Sequence, residues 1–196
     1  LAYNYRRILR VSAFVVFPIM LLLTALAKPF ILILITDKWI ECVPFLEILC
    51  VAMMLYPIHA INLNLLQVKG RADLFLRLEI IKKILGVIIL CITIPMGLIP
   101  MAWGILVSSF LSLFVNTYYT GKLIRVGILR QTMDIAPIFG ISCLMYFVAY
   151  LVTKVFFNPY AQVFIGGLVA TILYVGVAIA LKRDELNDLK YLLKRK

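Results

Sequence analysis

Six apolar stretches of membrane-spanning length divide this 196-residue chain. A helix needs about 20 mostly apolar residues to cross the hydrocarbon core of a bilayer. Hydrophobic residues make up 64% of the chain and the mean hydropathy is +1.07, well above the roughly 45–50% apolar content of a soluble domain. The sequence therefore predicts an all-α, polytopic integral membrane protein, with residues 1–181 forming one bundle of six transmembrane helices. The predicted spans are residues 11–36, 42–67, 74–94, 100–119, 135–156 and 160–181.

Prolines predict where two of these spans bend. The first span contains Pro18 and the sequence Ala27-Lys28-Pro29, and the second contains Pro57. Because proline lacks a backbone donor and clashes with the preceding turn, we expect a bent first span and a kink in the second.

The distribution of basic residues predicts the orientation. With the N-terminus in the cytoplasm, all but three of the 20 Lys and Arg residues fall on the cytoplasmic side, the exceptions being Lys28, Lys38 and Lys154. Cytoplasmic loops carry such an excess, so we expect both ends of the segment to be cytoplasmic. Residues 121–134 and the basic tail, residues 182–196, mix apolar and charged residues and are predicted to form amphipathic helices on the inner leaflet.

Several function classes are not indicated by the sequence. The net charge of +11 is interspersed between apolar runs, without the aromatic and basic face typical of nucleic-acid binding, so no nucleic-acid partner is expected. The four cysteines show no CxxC spacing, and His59 is the single histidine. Neither a metal site nor a catalytic triad is therefore predicted, and we expect no enzyme activity and no cofactor.

Residues 70–90, GRADLFLRLEIIKKILGVIIL, carry charge into the start of the third span. At 100° per residue, Glu79, Lys82 and Lys83 share one helix face, which Gly86 continues. Such a face suits contact with other helices or with a water-filled cavity. In the alternative interpretation, the lysines snorkel to the headgroups and Glu79 pairs with Lys83 at i,i+4.

Two arginines lie nearer the loop that precedes this span. Arg77 follows Asp73 by one helical turn, so these two residues are predicted to form a pair, and Arg71 lies in the loop itself. The candidate cationic, substrate-binding residues of a cavity are therefore Arg71, Arg77, Lys82 and Lys83.

Polar side chains also occur in the neighbouring spans. His59 and Asn62 are three residues apart in the second span, and Asn64 follows them. Buried polar groups in a membrane need partners, so these side chains either bond to another helix or form a polar wall that faces the lysines. The candidate polar cavity residues are Glu79, His59, Asn62, Asn64 and Asn116. Glu47, near the outer end of the second span, is a candidate for ion coupling, although a position at headgroup level explains it equally well.

Three stretches of the first 85 residues resemble a known family in detail. They are Phe17-Pro18, the run LAKPFILILITDKWIECVPFLEIL at 26–49, which includes Trp39, and the run LLQVKGRADLFLRLEIIKK at 65–83. These stretches resemble the C-terminal half of bacterial polysaccharide exporters, the Wzx-type lipid-linked oligosaccharide flippases of the multidrug/oligosaccharidyl-lipid/polysaccharide (MOP) superfamily. The last two spans and the tail match this family only in hydropathy and topology.

The resemblance implies a fold and a function. Members of the family have about 12 to 14 spans in two six-helix bundles around a central cavity, and this chain, which opens on Leu1 without a signal peptide, looks like the second bundle of a longer protein. The implied substrate is an undecaprenyl-pyrophosphate-linked sugar repeat, flipped across the bacterial inner membrane for surface or exopolysaccharide assembly. The implied partners are membrane lipids, the N-terminal bundle of the same protein, and the polymerase and glycosyltransferases of the pathway.

Two alternative functions remain open at this point. One is a cation-coupled, MATE-like multidrug exporter of the same superfamily, which would rely on Glu47 and on cavity aromatics. The other, from a different class, is a non-transporting membrane scaffold that binds polysaccharide-assembly enzymes or lipids through its basic surface helices.

Overall fold

The computed structural model describes residues 1–124, 126–181, 185, 186 and 188. Within this part of the chain the regular structure is helical, and no strand is present. The helices are α1 (Ala2–Ala25), α2 (Ala27–Leu34), α3 (Val43–Met54), α4 (Tyr56–Val68), α5 (Ala72–Thr93), α6 (Leu98–Ile124), α7 (Ile128–Val155) and α8 (Pro159–Ala180). Short 3-10 helices at Asp37–Cys42 and Ile94–Met96 join α2 to α3 and α5 to α6.

The first apolar stretch is interrupted at Leu26, which separates α1 from α2. The break directly precedes Ala27-Lys28-Pro29, which confirms the predicted bend. Pro18, by contrast, lies inside α1 without ending it. Because proline has no N–H, the carbonyl of Phe14 one turn earlier loses its intrahelical partner, and the Tyr174 hydroxyl of α8 donates to that carbonyl at 2.8 Å. A buried side chain from another helix thus compensates for the missing donor.

The second apolar stretch also consists of two helices, as Pro57 predicted. Helix α3 ends at Met54, Leu55 separates the two, and α4 begins at Tyr56 with Pro57 in its first turn. Proline is tolerated there because the first N–H groups of a helix have no intrahelical acceptor.

Gly70 ends α4 and reverses the chain into α5. Its φ of +67° is a left-handed conformation that glycine adopts without steric cost. The Gly70 N–H donates to the Gln67 carbonyl at 2.9 Å, and the Arg71 N–H donates to the Leu66 carbonyl at 3.0 Å. This pair of bonds is the Schellman arrangement for the end of a helix, so GR in the sequence GRAD forms a defined helix stop.

Helix α1 lies at the centre of the packing and contacts α3, α4 and α7. The main apolar core includes Leu9 and Phe17 of α1 and Ile138 and Met145 of α7, all at most 2% exposed. Helix α5 lies at the side of this core and packs mainly against α6 and α4. Leu78 is its only fully buried residue, so α5 leaves most of its surface free of contacts within the described chain.

Five helical segments of the described chain are long and apolar enough to cross a membrane, namely Ala2–Ala25, Asp37–Val68, Leu98–Ile124, Ile128–Val155 and Pro159–Ala180. The prediction of an all-α polytopic membrane protein is confirmed at this level. The predicted third span, residues 74–94, is helical, but α5 carries Asp73, Arg77, Glu79, Lys82 and Lys83 and is not among the five.

The predicted surface helix at residues 121–134 is wrong. Helix α6 continues to Ile124 and α7 begins at Ile128, so most of this segment forms the ends of two long helices. The physical reason is tertiary, because Asp134 is buried in an ion pair with Arg6 of α1, with distances of 2.6 Å. The predicted helix in the tail, residues 182–196, lies almost entirely outside the described residues, although Asp188 pairs with Arg7 at 2.5 Å.

Candidate functional site

A polar groove with a volume of about 460 Å³ lies between α4, α5 and α6. Helix α4 contributes Tyr56, His59, Ala60 and Leu63 to its lining. Helices α5 and α6 contribute Glu79, Lys82, Lys83, Gly86, Ile89, Leu90, Gly104, Ile105, Ser108, Ser109 and Ser112. The groove therefore combines two cations, a carboxylate, an imidazole, a phenol and three serine hydroxyls in a membrane protein, where such groups mark functional sites.

Helical periodicity explains why the charged residues of α5 meet in this groove. Glu79, Lys82, Lys83 and Gly86 recur at three- and four-residue intervals, which lie on one side of an α-helix. The structure places all four in the groove lining, as the face predicted from the sequence requires. At Gly104 of α6 the two helices approach so closely that an added Cβ would lie 2.9 Å from the Ile89 Cγ2 atom.

The charges of α5 are only partly neutralised. The Lys82 ammonium donates to the Glu79 carboxylate one turn away, with 14% and 30% of the two side chains exposed. The Glu79–Lys83 pair of the alternative, snorkelling interpretation is therefore wrong. No carboxylate of the described residues forms an ion pair with Lys83, which is exposed along the groove. An anion entering the groove thus meets one free ammonium and one that is shared with Glu79.

Three side chains form a hydrogen-bonded chain at the base of the groove. The Nε2 atom of His59 lies 3.2 Å from the Ser109 hydroxyl, and its Nδ1 atom lies 3.3 Å from the amide nitrogen of Asn116. Ser109 in turn donates to the Ala52 carbonyl at 3.3 Å. Because the Ser109 proton is committed to Ala52, the consistent assignment is a neutral imidazole that donates from Nε2 and accepts at Nδ1.

The other polar candidates of α4 lie elsewhere. Asn62 is 1% exposed, accepts a 2.7 Å bond from the Tyr5 hydroxyl and donates to the Ile58 carbonyl, which makes it a link between α4 and α1. Asn64 is exposed and lines a separate small crevice beside Tyr5.

The remaining charged candidates do not line the groove either. Arg77 is exposed, and Glu47 is half-buried on α3. Arg71 pairs with Asp73 through two bonds of 3.0 Å, so the predicted Asp73–Arg77 pair is wrong. The guanidinium of Arg71 lowers the pKa of the Asp73 carboxyl, mainly through these hydrogen bonds.

Sequence reasoning missed the contribution of α6. Ser108, Ser109 and Ser112 lie on the groove side of this apolar helix, and Gly104 makes room for α5. The signal that points to them is the spacing of small residues, GILVSSFLS, at 104–112, because small and hydroxyl side chains mark contact faces between membrane helices.

Comparison with known proteins gives a context for this groove. Residues 1–44 match the model of a family described as "Polysaccharide biosynthesis protein". An "Uncharacterized membrane protein in cps region" of Klebsiella pneumoniae is 29% identical over 124 residues, which covers 61% of this chain. The match covers 25% of that relative, so the chain spans about a quarter of its length. No solved structure matches the chain. The chain is thus similar to polysaccharide biosynthesis membrane proteins, which confirms the resemblance predicted from its sequence.

Proposed function

We propose that this chain is part of a transporter, and not an enzyme, that flips an isoprenoid pyrophosphate-linked oligosaccharide across the bacterial inner membrane. In this proposal it forms the second bundle of a MOP-type flippase, with both ends of the segment cytoplasmic and α5 as a sixth membrane-crossing helix. The similarity to polysaccharide biosynthesis membrane proteins supports the pathway. The observation that carries the transport role is the groove in which Lys82 and Lys83 converge with His59 and the serines of α6.

The chemistry of the groove suits an anionic headgroup that bears sugars. Ammonium groups form strong, charge-assisted hydrogen bonds with phosphate oxygens, and these bonds strengthen where the surrounding dielectric is low. Lys83 is free of carboxylate partners within the described chain, and Lys82 can exchange its bond with Glu79 for a phosphate oxygen. The hydroxyls of Ser108 and Ser112 offer both donors and acceptors to sugar hydroxyls.

The outward surface of α5 supports a membrane position for this helix. Leu76, Ile80, Ile84, Val87 and Ile92 are each about half-exposed or more, and they lie away from the groove lining. A helix with one apolar exposed face and one polar face toward other helices fits a wall between lipid and a hydrated cavity. This arrangement favours a sixth crossing helix despite the charge that α5 carries.

The position of Glu47 favours the flippase over the alternative function, a cation-coupled drug exporter. Glu47 is the acidic residue on which that function would rely, and it does not line the groove. The net charge of the groove face of α5 is positive, which suits anionic and not cationic cargo.

The test is a double substitution, Lys82→Gln together with Lys83→Gln, in the full-length protein. We expect loss of surface polysaccharide at unchanged protein level in the membrane, and at least a tenfold loss of affinity for farnesyl pyrophosphate in nanodiscs, since a charge-assisted hydrogen bond contributes about 1.5–3 kcal/mol. The matched control is Arg71→Gln together with Arg77→Gln, which removes the same charge outside the groove. Normal polysaccharide in the lysine variant, or equal loss in the arginine control, would contradict the proposal.

A further inference from the structure

The buried amide of Asn116 has one atom without a partner. Asn116 is 1% exposed, its nitrogen bonds to Nδ1 of His59, and its Oδ1 atom is buried with no hydrogen bond. A buried acceptor without a donor carries an energetic cost and calls for an explanation. The explanation lies in the group beside it, because the imidazole of His59 accepts at Nδ1 when it is neutral and donates from Nδ1 when it is protonated.

Rotation of the Asn116 amide accommodates a second protonation state of His59. When the imidazole is neutral, the amide nitrogen of Asn116 donates to Nδ1, and Oδ1 has no hydrogen-bond partner among the described residues. When Nδ1 takes up a proton, it becomes a donor. A half-turn about χ2 of Asn116 then brings Oδ1 to Nδ1 as the acceptor, and both orientations are accessible because this torsion has a broad, roughly two-fold preference. The Nε2–H bond to Ser109 is kept in both states. Protonation therefore costs no hydrogen bond within the chain His59, Asn116 and Ser109.

The charges around His59 oppose its protonation when the groove is empty. The ammonium groups of Lys82 and Lys83 line the same groove as the imidazole and repel a second positive charge there, while Glu79 compensates them in part. On α4 itself the other titratable lining group is Tyr56, and α6 supplies only hydroxyls and amide groups.

Titratable groups on the other two helices packed against α4 do not enter the groove. The α3 groups Glu47 and Cys50 do not line it. Tyr5 of α1 donates a hydrogen bond to Asn62 of α4, and neither side chain lines the groove. The electrostatic field at His59 within the described chain is therefore set mainly by α5.

We infer that His59 is a proton-binding site whose occupancy is coupled to anion binding at Lys82 and Lys83, with Asn116 as the positioning residue that serves both protonation states. This inference rests on the proposed function, since the anion is the pyrophosphate of the cargo. A bound pyrophosphate neutralises the lysines that oppose the proton. By reciprocity, the protonated groove binds the anion more tightly by the same factor.

The imidazole of His59 reports the coupling directly, because its NMR signal can be assigned by its loss in a His59→Gln variant. The full-length protein is prepared with 15N-labelled histidine in zwitterionic nanodiscs, and the His59 signal is titrated across its full transition with and without ligand. We expect farnesyl pyrophosphate to raise the titration midpoint by about one pH unit, which corresponds to tenfold tighter anion binding in the protonated state. Farnesol, which lacks the pyrophosphate, is expected to leave the midpoint unchanged.

Variants separate this coupling from a general effect of negative charge on the membrane. In the Lys82→Gln, Lys83→Gln variant the shift is expected to vanish; a shift that persists there reports surface potential and overturns the inference. Asn116→Leu is expected to lower the midpoint, because the imidazolium loses its acceptor, whereas Asn64→Leu, on the same helix as His59 but outside the groove, leaves it unchanged.

The outcome also distinguishes failure of this inference from failure of the proposed function. If farnesyl pyrophosphate binds through the lysines but the His59 midpoint stays fixed, the coupling is wrong and the proposed function stands. If the wild-type protein does not bind farnesyl pyrophosphate, both are wrong. Both measurements are made on the wild-type protein. A folded variant, His59→Gln, is needed only to assign the signal.

Discussion

The close approach of α5 to α6 at Gly104 gives a quantitative test of the groove. A Cβ atom added at Gly104 would lie 2.9 Å from the Ile89 Cγ2 atom and 3.0 Å from the Thr93 Cγ2 atom. Optimal carbon contacts are about 3.5–4.0 Å, so Gly104→Ala forces a displacement of roughly 0.5–1 Å. Ile89 and Thr93 are β-branched and stiff at χ1, and their Cγ atoms lie next to the backbone. Helix α5 itself must therefore move.

The energetic expectation follows from two opposing terms. Overpacking of this kind costs about 1–3 kcal/mol, whereas replacing glycine by alanine within a helix stabilises it by up to about 1 kcal/mol. Gly86 provides the matched control, because a Cβ there would meet only the Ser108 hydroxyl at 3.8 Å, an ordinary contact. Gly86→Ala keeps the helix gain without the clash, so Gly104→Ala should be the less stable of the two by about 1–3 kcal/mol.

The assay is reversible unfolding of both variants in mixed micelles with a denaturing detergent, followed by circular dichroism and compared with the wild type. Since α5 carries Lys82 and Lys83, its displacement should also weaken binding of farnesyl pyrophosphate in Gly104→Ala. Equal unfolding free energies for the two variants would show that α5 and α6 do not approach as closely as the structure has them.

Two further expectations concern the bonds that hold the bundle together. Tyr174→Phe should lower the free energy of unfolding by about 1–3 kcal/mol, because the buried Phe14 carbonyl then loses its hydrogen-bond donor. That carbonyl already lacks an intrahelical partner because of Pro18. Tyr160→Phe, at an exposed position, is the control, and equal stability of the two variants would contradict the compensation by Tyr174. Asp134→Ala should lower the free energy of unfolding by about 1–3 kcal/mol, less than for a fully buried pair because the Arg6 side chain is 41% exposed. Asp73→Ala, which removes a pair whose side chains are both about half exposed, should leave it nearly unchanged. An equal loss of stability in both variants would show that the α1–α7 pair does not stabilise the bundle more than a surface pair.

Local rules were sufficient where the cause lies within one helix. The common face of Glu79, Lys82, Lys83 and Gly86 follows from the 3.6-residue period alone, and the structure assigns all four to one groove. The interruption before Pro57 follows equally from the chemistry of proline. Neither result depends on which helices are neighbours, so both could be obtained from the sequence.

The same rules failed where backbone geometry departs from a helix. The predicted Asp73–Arg77 pair assumed that both side chains are free to meet on a helical surface. Arg71, however, is the N-cap residue of α5 with φ −96° and ψ 57°, a non-helical conformation produced by the turn at Gly70. Its guanidinium reaches Asp73 from outside the helix, and no helical wheel includes such a position.

Contacts between residues far apart in the chain also could not be predicted from the sequence. The segment at 121–134 has the composition of a surface helix, but Gln131 and Asp134 are buried because α7 packs against α1. The link between His59 and Ser109 joins residues 50 apart. The sequence predicted that His59 would need a partner, and only the packing of α4 against α6 identifies it.

The charge balance of the groove connects its two proposed properties. Glu79, Lys82 and Lys83 together give a net charge of +1 at the groove face of α5, which is modest for the proposed binding of a multiply charged pyrophosphate. A higher permanent positive charge would raise the cost of placing α5 in a membrane, since each uncompensated ion there is expensive. In the proposed coupling, proton uptake by His59 supplies one additional positive charge when the anion is present to stabilise it. In the proposed coupling, the groove therefore carries a smaller positive charge when it is empty than when the anion and the proton are both bound.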